Sequence, residues 1–398
     1  MVDPRVDRPR AGIDLADVVR RFGPAYRAHY GQGMMPSQNK ALADIVACCT
    51  PELGGRLYRC DDCDESFWRY HCCRNRACPK CHGRQTQQWL QQREAELLPC
   101  DYFHAVVTVP SQLHAAFRRH QKLLYGLLMQ VAAQAVLELC AQQRHLAALP
   151  GMLAVLHTWN GQLGYHPHVH LLITGGGISP DGQHWQPARG PFLVPVARLS
   201  RKVAALFRDA LKTKAPAVLA SIPGTVWQRS WVTFCKHYGQ GNDAVLNYLS
   251  RYVFRTALSQ ARILSMDQTH VTFRWKDRKA DKWQTERLTG DAFLRRFLQH
   301  VLPRGFHKVR YYGLWHPSKR SQSSRAWFLL TLEALTSTTE APRLADLLQA
   351  LSPRTEEPDH PCNKVTQDNG ATPRCPHCGS NQTRLLGEWP RFRVPRVT

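Results

Sequence analysis

The chain has 398 residues and carries 53 lysines and arginines against 30 aspartates and glutamates, a formal net charge of +23. A surplus of this size favours a polyanionic partner, and nucleic acid is the first candidate. Apolar residues make up 43% of the chain, which excludes a mainly disordered protein; no signal-peptide core and no continuous apolar stretch of about 18 residues occurs, so we expect a cytoplasmic protein without a membrane span.

The predicted secondary structure mixes helices and strands along most of the chain. Two amphipathic helices begin near Asp14 and Ser37, and a polar helix is predicted over residues 85–98. Further strands are predicted at 102–109, 152–159, 168–174, 231–235 and 271–275, and further helices at 111–146, 196–213, 242–259 and 292–301. This order predicts an α+β fold with a mostly antiparallel sheet, in which strands 152–159 and 168–174 form a hairpin.

Composition divides the chain into three predicted domains. Residues 1–99 contain the first helices and a zinc ribbon, and residues 100–317 form a catalytic domain. Residues 318–398 contain two helices, a linker rich in proline and acidic residues at 353–361, and a second cysteine cluster.

The first cysteine cluster predicts a structural zinc site. Cys60 and Cys63 form one Cys-x2-Cys pair, and Cys78 and Cys81 form another pair fourteen residues later. Each pair supplies two thiolates at a spacing suited to tetrahedral zinc, so we expect all four to bind one ion, with Cys73 as the first substitute. Removing that zinc is expected to unfold residues 55–85.

The second cysteine cluster is a weaker signal. Cys375 and Cys378 form a third pair, which only His360 and Cys362 precede closely enough to complete a second zinc module. The alternative is two unliganded surface cysteines near a tail. Basic residues lie beside both clusters, and at the first we expect DNA contacts from Arg74 and Arg76.

A catalytic metal site is predicted on the strand 168–174. His168 and His170 are two residues apart, so both imidazoles point to the same face of that strand. His157, near the end of the preceding strand, is the expected third ligand, and Gln162 and His166 are weaker candidates. Three neutral ligands leave positions for a phosphate oxygen and water, which suits Mg²⁺ or Mn²⁺; three imidazoles could equally capture zinc.

Two candidate nucleophiles lie on the predicted helix 242–259. Tyr248 and Tyr252 are four residues apart and therefore share one helix face. Attack by a phenol on a metal-polarised phosphodiester would give a covalent phosphotyrosine and release a 3′-hydroxyl without ATP. Arg251 and Arg255 lie near the same face and are expected to bind a scissile or flanking phosphate. The alternative for both tyrosines is ordinary packing.

These residues, in this order, resemble the insertion sequence 91 family of transposases, which are HUH endonucleases with two active-site tyrosines. The blocks that carry the resemblance are residues 54–60, 73–81, 97–104, 156–159, 166–170, 248–252 and 297–306. One departure is Ala77, where the family commonly has a histidine before the Cys-Pro-x-Cys pair; this supports a four-cysteine site.

The resemblance implies a ferredoxin-like antiparallel sheet with His168 and His170 as the HUH pair and Tyr248 and Tyr252 as the tyrosine pair. It also implies a divalent metal, single-strand cleavage at the ends of the mobile element and insertion into target DNA. Movement would proceed by a rolling circle through 5′-phosphotyrosine intermediates, in a bacterial cytoplasm and at the nucleoid.

Two other functions stay open at this point. A replication initiator or relaxase would use the same histidines and tyrosines, but the sequence has no G-x4-G-K-[ST] loop, so unwinding would come from host replication and helicase machinery. A zinc-ribbon DNA-binding regulator would bind DNA in a salt-dependent way and never become covalently attached to it.

Overall fold

The computed structural model describes residues 12–81, 97–190, 193–241, 245, 248, 252–253, 255–277, 280–336 and 373–390. Most of the predicted helix 85–98, the second C-terminal helix, the linker 353–361, and the residues Arg251, His360 and Cys362 lie outside these ranges. Within them the protein is α+β, and every strand pair is antiparallel, as the sequence predicts.

Helices and strands are interspersed along the described part of the chain. The helices are α1 (Leu15–Tyr30), α2 (Pro36–Ala47), α3 (His114–Arg119), α4 (Gln121–Cys140), α5 (Val196–Lys214), α6 (Pro216–Ala220), α7 (Gly290–Leu298) and α8 (Arg320–Thr336). The strands are β1 (Gly55–Cys60), β2 (Ser66–Tyr70), β3 (Asp101–Thr108), β4 (Gly151–Trp159), β5 (Tyr165–Thr174), β6 (Gly176–Ile178), β7 (Trp185–Pro187), β8 (Thr233–Gln240), β9 (Ile263–Met266), β10 (His270–Asp277), β11 (Lys282–Thr289), β12 (Val309–Gly313) and β13 (Thr383–Trp389).

The central sheet has five strands in the order β12-β4-β5-β3-β8. Strands β4 and β5 form the predicted hairpin, with Leu156 opposite Val169 and His157 opposite His168. Side chains alternate between the two faces of these strands, so Leu156 and Val169 point to one face and the two histidines point to the other. The hairpin register therefore separates an apolar face from a histidine-bearing face.

Helices α4 and α5 cover the apolar face of the central sheet. Ala154, Leu156 and Val169 pack there in one buried cluster with Leu128 and Phe207. In the part of the chain that the structure describes, α4 is the one helix long and apolar enough to cross a membrane, and 67% of its most apolar window is buried inside the protein. Packing against the sheet accounts for its composition.

A second core joins the N-terminal helices to the β9-β10-β11 meander and α7. Leu15 on α1, Leu42 on α2, and Phe273 and Phe293 from the meander and α7 are fully buried together. Helix α1 begins after Asp14, as the sequence predicts, and the structure shows that Asp14 forms a capping box with Asp17. The N-terminal helices thus pack on the catalytic region.

The C-terminal strand completes the N-terminal ribbon, whereas a separate C-terminal zinc module was the expectation. β13 pairs with β1 along its whole length, from Gly55 opposite Trp389 to Cys60 opposite Thr383, giving the order β13-β1-β2. The pairing satisfies the backbone edge that β1 presents on the side away from β2. Residues 373–390 therefore belong structurally with residues 55–70.

The ends of several elements differ from their predicted positions. The helical backbone of the tyrosine segment reaches Val253, and Arg255 has no regular structure, although the helix was predicted to continue to residue 259. Strand β8 begins two residues later than predicted and continues to Gln240. Strands β9, β11, β12 and β13 were not predicted, because they are short or mostly exposed and carry no clear alternation.

The end of β12 provides a test of this fold. Gly313 has φ +61°, and an added Cβ would collide with the backbone carbonyl of Pro150. We expect Gly313→Ala to lower the unfolding midpoint by on the order of 5 °C, since the backbone strain and the collision together cost about 2 kcal/mol. Gly31→Ala, at an open position with negative φ, is the matched control in a thermal melt. Equal midpoints for the two variants would contradict the packing of β12 against β4.

Candidate functional site

Three histidines meet on the open face of the central sheet. His157 and His168 are direct partners across β4 and β5, and His170 follows on the same face of β5. One ring nitrogen from each lies within 4.8 Å of those of the other two. A shift in strand register separates His157 from Trp159, whose ring stacks on that of His157 with centroids 4.4 Å apart. The three rings are close enough together that they could hold one metal ion.

Each histidine is oriented by a hydrogen bond at its other ring nitrogen. His168 donates Nδ1–H to the carbonyl oxygen of His166 at 2.7 Å, and His157 donates Nε2–H to the carbonyl oxygen of Tyr252 at 2.7 Å. His170 Nδ1 and His104 Nε2 share a hydrogen bond of 2.9 Å. In a neutral ring the remaining nitrogen then carries the lone pair, and such outer partners orient metal-binding histidines.

Burial favours the neutral form of His157 and of the neighbouring His104. It holds the pKa of His157 well below its usual range, with smaller contributions from His168, Lys308 and Arg255. Burial, with a smaller effect of Lys236, lowers the pKa of His104 to about 4. Imidazoles that stay unprotonated at neutral pH are competent metal ligands, so the electrostatics fit the geometry.

The two predicted tyrosines meet above this cluster but in different environments. Their ring centroids are 4.8 Å apart, and the Tyr252 ring is 4.1 Å from that of His170. Tyr252 is partly exposed, whereas Tyr248 is fully buried and its hydroxyl has no hydrogen-bond partner among the described residues. Burial, then the neighbouring Tyr252 and Tyr238, raises the pKa of Tyr248 well above its usual value. Tyr252 is thus the more accessible phenol.

Of the other residues predicted for this site, some lie near the histidine cluster and others do not belong to it. Arg255 is exposed and its charge acts on His157, so it lies near the cluster. Gln162 and His166 are not members of the cluster, and His166 contributes its carbonyl oxygen instead. Arg251 lies outside the described residues.

The cysteines form two clusters, and neither is the predicted one. The first cluster contains Cys48, Cys73, Cys78 and Cys81; the second contains Cys60, Cys63, Cys375 and Cys378. The prediction that Cys60 and Cys63 share an ion with Cys78 and Cys81 is therefore wrong. The physical reason is the pairing of β1 with β13, which delivers the third cysteine pair to the first one.

Comparison with known proteins gives consistent matches. Residues 151–324 match a family model described as "Putative transposase", and residues 18–109 match "Transposase zinc-binding domain" of the insertion sequence 91 type. The chain is 38% identical over 330 residues to "Putative transposase y4qJ" of Sinorhizobium fredii, covering 79% of this chain and 83% of that protein. The chain belongs to the insertion sequence 91 family of transposases.

A second curated relative agrees with this assignment. The transposase is 27% identical over 299 residues to "Transposase for insertion sequence element IS801" of Pseudomonas savastanoi pv. phaseolicola, with 71% of each chain covered. No solved structure matches it. DNA is the substrate of a transposase, which accounts for the net charge of +23.

The cysteine clusters of the transposase have the chemistry of structural zinc sites. Sγ atoms lie 3.3 Å apart for Cys48 and Cys81 and 3.5 Å apart for Cys60 and Cys378. A tetrahedral site with Zn–S bonds of about 2.3 Å needs an edge of about 3.8 Å, so small adjustments suffice. Backbone N–H groups point at the sulfurs, as that of Arg74 does at Cys81 Sγ, which suits thiolates. The donor sets fit zinc and agree with the matched zinc-binding domain.

Arginines beside the first cluster have different roles. Arg76 donates to the carbonyl oxygen of Pro303 at 2.8 Å and to that of Phe306, so its guanidinium attaches the cluster to the catalytic region. These hydrogen bonds give Arg76 a structural role, and its contact with DNA stays a prediction. Arg74 is exposed, and its contact with DNA stays a prediction.

Sequence analysis missed two residues of these sites. His104 was taken only as part of a strand and a family block, because a single histidine in an alternating pattern carries no ligand signal. Cys48 precedes Cys49 at the end of α2, without the Cys-x2-Cys spacing that marks a zinc site. Only the fold brings Cys48 within reach of Cys81.

We expect about two zinc ions per chain, one for each cysteine cluster. Replacing Cys375 and Cys378 with serine should remove about one ion, and replacing Cys78 and Cys81 should remove the other, because each pair supplies half of one donor set. Elemental analysis of purified protein measures the ratio. Cys235→Ala, a buried cysteine outside both clusters, should retain both ions. If zinc is lost only when all four of these cysteines are replaced, and only one ion is then lost, the two clusters are not separate zinc sites.

Proposed function

We propose that the transposase cleaves and rejoins single strands of DNA through a covalent link to Tyr252, beside a divalent cation held by His157, His168 and His170. The observation that carries this proposal is the contact between Tyr252 and the histidine cluster. The ring centroids of Tyr252 and His170 are 4.1 Å apart, and the backbone carbonyl of Tyr252 accepts a hydrogen bond from His157. A cluster used only for packing would not need each imidazole oriented toward its neighbours by a separate hydrogen bond.

The chain's own residues would perform the steps around that cation. Mg²⁺ or Mn²⁺, when bound, supplies Lewis acidity toward a phosphate oxygen. Attack by the Tyr252 oxygen forms the Tyr–O–P bond and breaks the bond to the 3′ oxygen, which leaves as a hydroxyl after taking a proton. Since Tyr252 is partly exposed, its phenolic proton can leave to solvent. The positive charge of Arg255 favours a phosphate near His157.

Tyr248 is suited to a later step. Its buried hydroxyl and raised pKa disfavour attack from the conformation described here. Once Tyr252 is esterified, a local shift of the tyrosine segment could expose the second phenol for strand transfer. Two successive 5′-phosphotyrosine links would support rolling-circle movement between element ends and target DNA, with unwinding supplied by host replication and helicase machinery.

The order of attack is testable with labelled single strands from the DNA flanking the gene, Mn²⁺ or EDTA, and a denaturing gel. We expect Tyr252→Phe to reduce the covalent adduct by on the order of 10³-fold or more, because the accessible phenol is removed. Tyr248→Phe should leave the first adduct within a few-fold of wild type. Tyr312→Phe, on the opposite face of the sheet, is the matched control.

Other outcomes have distinct meanings. Loss of the adduct in Tyr248→Phe alone would reverse the order of the two phenols. An adduct that persists in the double variant would exclude both tyrosines as nucleophiles. If wild type binds the strands and gives no adduct with any of them, the zinc-ribbon DNA-binding protein becomes the better account.

His104 provides a test of the cation site that does not use activity. Its Nε2 accepts from His170 Nδ1–H in the tautomer that leaves His170 Nε2 for the cation. We expect His104→Leu to weaken Mn²⁺ binding about 10- to 100-fold and His104→Gln to restore part of it, as measured by calorimetry on protein whose zinc sites are filled. His237→Leu, on the other face of the sheet, should bind like wild type. Unchanged affinity in His104→Leu would remove His104 from this role.

A further inference from the structure

A basic cavity lies on the opposite side of the central sheet from the histidines. Its volume is about 340 Å³, and it is formed by α5 and by the segment 227–230 that precedes β8. The lining residues that matter for binding are Arg201, Ala204, Ala205, Arg208, Trp227 and Arg229. We call it the arginine pocket. A volume of this size is in the range that accepts a nucleotide-sized group.

The charge of the arginine pocket is uncompensated. Arg201, Arg208 and Arg229 line it, and no acidic side chain does. Within the described ranges none of the three forms an ion pair, and all three are exposed. Arg201 and Arg208 are seven residues apart and share one face of α5, where Ala204 and Ala205 leave the space between them open. The pocket is therefore built for an anion.

An aromatic ring adds a second kind of contact. Trp227 lines the pocket and is partly buried against the core, and the guanidinium carbon of Arg208 lies 6.0 Å from its ring centroid. An indole held by the core and adjoining guanidinium groups is the combination that binds a phosphate together with an unpaired base. A duplex offers its phosphates but keeps its bases stacked inside, so it would leave the ring unused.

The pocket is connected to the histidine site along one strand. Residues 227–230 lead directly into edge strand β8, where Phe234 and Lys236 lie opposite Val106 and His104 and so point to the histidine face. Phe234 is 40% exposed, and Lys236 Nζ lies 5.6 Å from its ring centroid. The Cα atoms of Arg229 and Phe234 are at most about 18 Å apart. Aromatic and basic side chains therefore lie both in the arginine pocket and, a few residues later, on the histidine face of the sheet.

We propose that the arginine pocket is a second DNA subsite, which holds a phosphate and an unpaired base of a single strand passing over the edge of β8. The path from the pocket to the tyrosines rests on the function proposed above; the binding of single-stranded DNA in the pocket does not. Arg201, Arg208 and Arg229 contact the phosphate, and Trp227 stacks on the base.

The test measures binding by fluorescence anisotropy in buffer without Mg²⁺, Mn²⁺ or chelator, so that the zinc sites stay filled and no cleavage step is needed. The assay compares three labelled DNAs: single strands of about 6 and about 20 nucleotides and a 20-base-pair duplex. The two strand lengths lie near the lower end and above the upper end of the length that one single-strand-binding module covers. The variants are Arg201→Ala with Arg208→Ala, and Trp227→Leu. The controls are Arg119→Ala with Arg144→Ala, which remove the same exposed charge elsewhere.

We expect the double arginine variant to bind the long single strand at least about 10-fold more weakly, with the slope of log K against log salt smaller by up to about 0.7, since one phosphate contact on a single strand contributes about 0.7. Trp227→Leu should weaken it at least about fivefold. The controls should change it less than about twofold. Binding of the long strand at control level in both pocket variants would overturn the subsite, and equal losses for strand and duplex would overturn its single-strand character.

The adduct assay separates this inference from the proposed chemistry. On the short strand confined to the cleavage site, the pocket variants should form adduct like wild type, because the pocket lies on the opposite side of the sheet. If wild type forms no adduct, the proposed function fails while the anisotropy result still decides the pocket. A pocket variant that loses the short-strand adduct with normal folding would instead place these arginines at the cleavage step.

Discussion

The register of the β4–β5 hairpin is the constraint on which the site depends. It sets His157 directly opposite His168 and leaves Leu156 opposite Val169 on the other face. A slip of one residue would turn the histidines into the apolar layer and the aliphatic side chains toward the open face of the sheet. The helices on the apolar face penalise such a slip, because they bury Leu156 and Val169 almost completely. Core packing therefore holds the ligand geometry.

The same hairpin is joined to the tyrosines through the backbone. His157 donates its Nε2–H to the carbonyl oxygen of Tyr252, at a point where the chain is π-helical. A π turn leaves backbone groups out of the regular i to i−4 pattern, so the carbonyl is available to accept from a side chain. One hydrogen bond therefore fixes both the orientation of the His157 ring and the backbone position of Tyr252. A change in either is transmitted to the other without a long pathway.

Local periodicity explains why parts of the site could be predicted and others not. The two-residue spacing of His168 and His170 and the four-residue spacing of the tyrosines are set by strand and helix geometry, and each shared face is found as expected. Partners across strands depend on which strands pair. His104 meets His170 only because β3 lies beside β5, and Cys60 meets Cys378 across 318 residues. No short-range pattern contains that information.

The two cysteine clusters constrain different lengths of the chain, because their cysteines are separated by different distances in the sequence. Cys48 and Cys81 are 33 residues apart, so an ion there closes a short loop within the N-terminal part of the chain. An ion between Cys60 and Cys378 closes a loop of about 318 residues, and its entropic benefit grows only as the logarithm of that length, by about 2 kcal/mol over the short loop. The two ions also differ in the elements that they hold: without the second ion, β13 keeps its backbone pairing with β1, the ion pair of Arg56 with Glu388 and the contact of Trp68 with Trp389. Zinc at the second cluster would thus add to these contacts in holding β13 against β1.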